Sequence, residues 1–147
     1  MRREDLVRAF IRKIDPSIEV SFGGSEFFAD VYDNSVNITF EQDYETDELF
    51  SFFLYEEFGV RANIFMMSCM HEVGHIMTND DEMLDERDAI YGLLQIGYEF
   101  SNNFQDYNRM YFHIPAEYEA TAWAVDFYRS NKAMCDAFAR EYEKTTE

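Results

Sequence analysis

The hydrophobic residues at the start of the chain recur at helical spacing. A helix drawn from Met1 to Asp15 has an apolar side made of Leu6, Val7, Phe10, Ile11 and Ile14. Proline disfavours helical geometry in the residue before it, so Pro16 predicts that this helix ends near Asp15. Arginine and lysine interrupt the apolar residues, which argues against a secretory signal peptide.

Between residues 18 and 40 apolar and polar positions alternate, as is typical of half-buried strands. Three strands are predicted, over residues 18–22, 27–32 and 35–41. Turn residues separate them at Gly23-Gly24 and at Asp33-Asn34, so we expect a three-stranded antiparallel meander. The third strand is expected at an exposed edge, where the backbone of a substrate peptide could add to the sheet.

The remainder of the chain is mostly helical in pattern. The acidic and aromatic residues 41–58 show no clean period, and either a short helix or a packed loop fits them. After Gly59 helical periodicity dominates, with breaks expected at Asn102-Asn103 and at residues 113–115. These elements predict an α+β fold, in which a small three-stranded antiparallel sheet packs on a helical bundle as one domain over residues 1–147.

Composition narrows the class of protein. A hydrophobic content of 47% favours a folded core over disorder, and 30 acids against 12 bases give a formal charge of −18. That charge disfavours binding to nucleic acid or anionic membranes and suits a basic protein partner, while leaving the oligomeric state open. No apolar run is long enough for a membrane span, and Cys69 and Cys135 are too few for a disulfide framework, so we expect a cytoplasmic protein.

Residues 71–75 read His-Glu-Val-Gly-His within a segment of helical pattern, roughly residues 60–77. Helical geometry places His71 and His75 one turn apart on the same face, with Glu72 beside them. This is the zincin metalloprotease signature, in which two imidazoles bind Zn²⁺ and the glutamate acts as general base. As ordinary core residues the two histidines would each need a separate hydrogen-bond partner, whereas one metal ion satisfies both.

Catalytic zinc usually takes three protein ligands, so a third must be found. Asp81 lies at the metzincin spacing, but Thr78 stands where that arrangement needs a glycine. A second source is the predicted helix over residues 116–130, on which Glu117 and Glu119 point about 160° apart. Glu117 is favoured because small residues share its side of the helix, and Glu119 and Asp81 stay as alternatives.

An oxyanion that develops during peptide hydrolysis needs a hydrogen-bond donor besides the metal. His113 is the predicted donor because it is the third histidine of the chain and precedes Glu117 by four residues. Tyr111 and Tyr118 are the alternatives, and His113 could equally be an ordinary loop residue before Pro115.

The first motif, followed some forty residues later by Glu-x-Glu-Ala-Thr-x-Trp-Ala, resembles the ImmA/IrrE family of metallopeptidases across residues 60–128. The resemblance implies a zincin-like fold, His71, His75 and Glu117 as zinc ligands, and Glu72 as general base. It also implies cleavage of a DNA-binding repressor in the bacterial cytoplasm, often by an enzyme encoded on a phage or mobile element. Two features depart from the family pattern: Thr121 replaces the usual asparagine or aspartate, and residues 126–130 replace a common Leu-Met-Pro.

Two other functions are compatible with parts of the sequence. A proteolytically silent zinc-binding protein could hold a basic partner on its acidic surface, but such a protein has no use for the intact Glu72. A mimic of DNA charge would fit the value of −18 and would leave the His-Glu-x-x-His motif unexplained. The motif therefore favours a zinc endopeptidase.

Overall fold

The computed structural model describes residues 2–145, and the predicted helix start at Met1 lies outside them. Within this range the chain forms seven helices and three strands, which confirms the predicted α+β class. In chain order they are α1 (Arg3–Ile14), β1 (Glu19–Phe22), β2 (Phe28–Asp30), β3 (Ser35–Ile38), α2 (Tyr44–Phe58), α3 (Ile64–Thr78), α4 (Asp81–Ser101), α5 (Phe104–His113), α6 (Pro115–Ser130) and α7 (Lys132–Lys144).

The sheet is mixed, so the prediction of a strictly antiparallel meander was wrong. The strand order is β1-β3-β2, with β1 parallel to β3 and β2 antiparallel to it. β3 is therefore the central strand, paired on both sides. The predicted exposed edge at residues 35–41 was also wrong, and β1 and β2 form the two edges instead.

Side chains of the third strand segment explain the mixed topology. The buried Asn37 amide donates to the carbonyl oxygens of Gly23 and Glu26, at 3.0 and 3.1 Å. The buried Thr39 hydroxyl donates to the carbonyl of Gly24 at 2.8 Å. These bonds hold the double-glycine loop across the end of β3, so β2 forms on the far side of β3 from β1. The sequence pattern shows the glycines but not these long-range partners.

Most of the predicted element boundaries are confirmed. α1 ends at Ile14, before the proline, and the turn at Asn34 has a left-handed φ of 54° that closes the hairpin of β2 and β3. Residues 41–58 contain the helix α2, in which Asp43 accepts from the backbone N–H of Thr46 and Gly59 ends the helix at a φ of 68°. The expected breaks are also present, since α4 ends before Asn102 and α6 begins at Pro115.

Helix α3 lies at the centre of the molecule. It packs mainly on α6 and also contacts β2, β3, α1, α2 and α7. Its side that faces the core is buried at Met66, Cys69, Met70 and Val73, while Met77 at its end is exposed. Both cysteines are buried and unpaired. Within residues 2–145, no helix combines the length and the apolar character needed to cross a membrane.

Candidate metal centre

The motif helix and α6 approach each other at the glycine of the motif. A Cβ placed on Gly74 would lie 2.3 Å from the carbonyl oxygen of Ala120, which is far inside van der Waals contact. Facing it, α6 presents the fully buried alanines 116, 120 and 124, spaced at one helical turn. Because Gly74 has no side chain and Ala120 only a methyl group, the two helix backbones can come into contact. Glu117 and Thr121, each one residue beyond an alanine of this row, can therefore reach the histidines of α3.

Three donor atoms converge between the two helices. His71 Nε2 and His75 Nε2 lie 3.1 Å apart, and each lies 3.1 Å from Oε1 of Glu117. All three side chains are buried, and Glu117 has 1% of its surface exposed. The neighbouring Glu72 is buried as well, and one ligand-type atom each from His71, Glu72 and His75 lies within 4.8 Å of the others. This buried His-Glu-x-x-His group is compatible with a zincin motif and could hold a metal ion.

Thr121 fixes the protonation of the first imidazole. Its hydroxyl donates to the carbonyl oxygen of Glu117 at 3.1 Å, so the oxygen has a lone pair free to accept. His71 Nδ1 lies 2.9 Å from that oxygen and therefore donates its N–H to it. Nε2 is then the unprotonated nitrogen, and it faces the centre.

Asn79 acts in the same way on the second imidazole. Its amide nitrogen donates to the hydroxyl of Thr78 at 3.0 Å and to the carbonyl oxygen of Ala116 at 3.1 Å. These two donations orient the amide oxygen toward His75 Nδ1, 2.6 Å away, which donates to it. When both imidazoles are neutral, each presents an Nε2 lone pair toward the carboxylate of Glu117, and a bound cation would hold the three atoms together.

Zinc fits this donor set. Three ligand atoms about 2.0–2.1 Å from a tetrahedral zinc lie roughly 3.3 Å from one another, close to the 3.1 Å separations found here. Two imidazoles and a carboxylate are a common ligand set of catalytic zinc, and the bonds at both Nδ1 atoms are the supporting interactions that zinc-binding histidines usually make.

The electrostatics also favour a positive charge at the point where the donor atoms of His71, His75 and Glu117 converge. Burial alone would lower the pKa of His75, but hydrogen bonding to Glu117 and the charges of Glu117 and Glu72 raise it to about 9. Burial alone would raise the pKa of Glu117, but its bonds to His71 and His75 hold it well below its ordinary value. The same carboxylates that raise the pKa of His75 would also attract a metal ion.

Glu72 and Tyr111 complete the surroundings of the centre. Burial raises the pKa of Glu72, and the two histidines only partly oppose that rise. Burial also raises the pKa of Tyr111 well above its ordinary value, and the charges of Glu117 and Glu72 raise it further. Tyr111, near the end of α5, thus lies close enough to both carboxylates to be influenced by them.

The other residues singled out from the sequence lie away from this group. Glu119 is exposed, and Asp81 is exposed at the start of α4, where its hydrogen bond raises the pKa of Tyr32. His113 is exposed and donates from Nδ1 to the carbonyl oxygen of Arg109 at 2.8 Å. No hydrogen bond of His113 reaches the four central residues within the described chain, and its predicted role stays a prediction.

Sequence reasoning assigned no role to Asn79 or Thr121 in holding the imidazoles. A signal for each was present, because Asn79 follows His75 by four residues and Thr121 follows Glu117 by four. Residues at that spacing lie on the same helix face. A short polar residue one turn after a candidate ligand is therefore worth testing as a group that supports that ligand, as for Asn79, or a neighbouring one, as for Thr121.

Comparison with known proteins assigns the chain to no family. No protein-family model matches the chain. Neither the curated proteins nor the solved structures contain a match to it. Any assignment of function therefore depends on the residues and contacts of the chain itself.

Proposed function

We propose that this chain is a zinc-dependent endopeptidase with His71, His75 and Glu117 as zinc ligands. The observation that supports it most is the convergence of two Nε2 lone pairs and one carboxylate oxygen at mutual distances of 3.1 Å. Buried carboxylate and imidazole atoms this close together favour a bound cation between them. The open fourth position of catalytic zinc sites suits hydrolysis.

The residues of the chain have distinct roles in the proposed reaction. Bound zinc would lower the pKa of a water molecule to about 7 and polarise the scissile carbonyl. Glu72 accepts a proton from the attacking water and passes it to the leaving amine, a role suited to a buried carboxylate whose pKa is raised. Thr121 and Asn79 hold the imidazoles in the required tautomer. The oxyanion needs a further donor, and Tyr111 is the alternative to the exposed His113, because the charges of Glu117 and Glu72 influence its pKa.

The proposed substrate is a cytoplasmic DNA-binding repressor. The motifs that resemble the ImmA/IrrE family support this class of substrate, together with a phage or mobile-element origin. A formal charge of −18 also favours encounter with a basic, DNA-binding protein. This second argument applies equally to a silent zinc-binding partner protein, so cleavage itself must be measured.

Zinc content and cleavage test the two parts of the proposal separately. Purified protein is expected to hold about one zinc per chain by elemental analysis, and the double variant His71→Ala/His75→Ala to hold none. Stoichiometric zinc in the double variant would place the metal elsewhere and overturn the site.

The variant Glu72→Gln separates an enzyme from a silent zinc protein. The amide keeps the shape of the side chain but accepts no proton, so turnover is expected to fall by about 10²–10⁴-fold while zinc is retained. The assay is co-expression with a repressor encoded beside this gene, followed by detection of a discrete cleavage product. Binding of that repressor without cleavage by the zinc-loaded wild type would instead support the silent role.

A further inference from the structure

A cleft of about 570 Å³ opens between α2 and α5. On the α2 side it is lined by Glu48, Phe52 and Glu56, which are spaced four residues apart and therefore lie along one face of the helix. Phe52 is 58% exposed, so its ring is accessible to a ligand. The wall of the cleft is thus an accessible aromatic ring with a carboxylate one turn before it and another one turn after it.

The cleft adjoins the candidate metal centre through a layer of aromatic rings. Phe112 lines the cleft and stacks on Phe50 at a centroid distance of 5.5 Å, and Phe50 contacts the ring of His71 edge-on at 5.8 Å. The rings of Phe112 and His71 are therefore at most about 11 Å apart. Because Phe50 and Phe112 are buried, a peptide that reached both the cleft and the centre would run around this ring layer and span more than the three or four residues of the direct distance. A side chain bound in the cleft would then belong to a residue several positions from the scissile bond.

The charge of the cleft is negative. Glu57 on the same helix lies 3.9 Å from the imidazole of His113 and accepts from Tyr118, whereas Glu48 and Glu56 form no ion pair or hydrogen bond within residues 2–145. Arg109 contributes one guanidinium against the three carboxylates. The sequence before and within α2 contributes no positive side chain to offset these carboxylates, because residues 14–60 contain no lysine or arginine.

The chain itself places a guanidinium on a neighbouring aromatic of α2. A second hollow shares Glu48 and Phe52 with the cleft and is also lined by Tyr55 and Arg61. In it the guanidinium carbon of Arg61 lies 4.2 Å from the ring centroid of Tyr55. Exposed aromatics of this helix are therefore able to bind a cationic side chain through the ring face.

We infer that the cleft between α2 and α5 binds a lysine or arginine side chain of the substrate, several residues from the bond to be cleaved. Phe52 would contact the cation through its ring, and Glu48 and Glu56 would pair with it from either side. The inference rests on the proposed peptidase function, because it names the side chain that this peptidase would select.

The test measures binding, not turnover, and uses the full chain carrying Glu72→Gln. The probe is a short fluorescein-labelled peptide of alternating alanine and lysine, and the matched peptide has norleucine in place of lysine. Fluorescence anisotropy at physiological ionic strength is expected to show binding of the lysine peptide only. The double variant Glu48→Gln/Glu56→Gln is expected to weaken that binding about tenfold, consistent with the loss of two ion pairs.

A control variant separates the cleft from the general acidity of the protein. Glu19→Gln/Glu26→Gln removes the same charge from exposed residues outside the cleft and is expected to leave binding unchanged. Equal binding of the norleucine peptide, or equal weakening by both double variants, would overturn the inference. Selective lysine binding combined with no cleavage by the wild type would instead reject the peptidase function and leave the cleft as a binding site.

Discussion

Two neighbouring helix pairs of this protein differ in the kinds of residues that they bury and expose. In the α3 and α6 pair, polar and charged side chains are buried, including His71, His75 and Glu117. In the α4 and α5 pair, large apolar side chains are exposed, among them Leu93 at 70% and Phe100 at 88%. Nine residues of α3 are buried but only Leu84 in the 21 residues of α4, so the first pair is core and the second is nearly all surface.

The difference identifies the pair that contains the candidate metal centre. Buried polar side chains are costly unless they have partners, and Thr121 and Asn79 supply partners to the Nδ1 atoms of the two imidazoles of the first pair. The second pair is held by rings of Tyr98 and Tyr107 at 5.4 Å and by a bond from Gln95 to the Tyr107 hydroxyl at 2.9 Å. Such contacts at the surface tolerate change, whereas the tight contact of α3 with α6 does not.

The largest effect is expected from adding a methyl group where the first pair touches. Gly74→Ala places a Cβ 2.3 Å from a backbone oxygen of Ala120, and a backbone cannot move aside as a flexible side chain can. We expect a loss of roughly 3 kcal/mol in the free energy of unfolding, at the upper end of overpacking effects, together with loss of zinc. Urea denaturation of the metal-free protein and zinc titration measure the two effects.

The matched control makes the same substitution in the second pair. Gly97 lies in the exposed part of α4, and a Cβ there meets nothing within 4 Å. Gly97→Ala should therefore raise the free energy of unfolding by about 0.5–1 kcal/mol, because alanine favours the helix. If Gly74→Ala and Gly97→Ala change the free energy of unfolding equally, the close packing of α3 against α6 does not matter for stability.

The next effect concerns the ligand supplied by α6. Glu117→Ala should weaken zinc affinity by more than about 100-fold, beyond the loss usual for supporting residues, while Glu119→Ala and Asp81→Ala leave it unchanged. Competition with a chelator of known affinity ranks the three variants. An essential Asp81 with a dispensable Glu117 would move the third ligand to α4.

Local patterns in the sequence predicted the parts of the site that depend on one helix. The spacing of His71 and His75 and the small residues around Glu117 are each visible within a single turn or two. The helix ends at Asp15 and Asn102 were predicted for the same reason, because capping and proline effects are local. The close contact between α3 and α6 is explained by Gly74 facing Ala120.

Long-range contacts explain what the sequence did not predict. The double glycine at Gly23 looked like a hairpin turn, but Asn37 and Thr39, more than ten residues away, hold the loop across the sheet. The influence of Glu117 and Glu72 on the pKa of Tyr111 likewise depends on how α5 packs against α6. Hydrophobic periodicity reveals neither the loop contacts of Asn37 and Thr39 nor the surroundings of Tyr111, because both depend on tertiary packing.

A smaller effect is expected from the residue that supports His71. Thr121→Val removes the hydroxyl that accepts from Nδ1 while keeping the volume, and zinc affinity should fall by about 10–100-fold. Thr121→Ser restores the hydroxyl and should restore most of the affinity. Chelator competition again gives the measurement. Equal affinities for the valine and serine variants would show that the hydroxyl does not support the ligand.

The smallest effect is expected on the exposed face of α4. Leu93→Ala removes a side chain that is 70% exposed, so the free energy of unfolding should change by less than about 0.5 kcal/mol. Leu84→Ala is the matched control, because the same truncation at the 6% exposed residue of that helix should cost about 2–3 kcal/mol. Urea denaturation at two protein concentrations measures both. A large loss at Leu93 that grows with protein concentration would show that another copy covers this face, and the contrast between the two helix pairs would then hold only for the monomer.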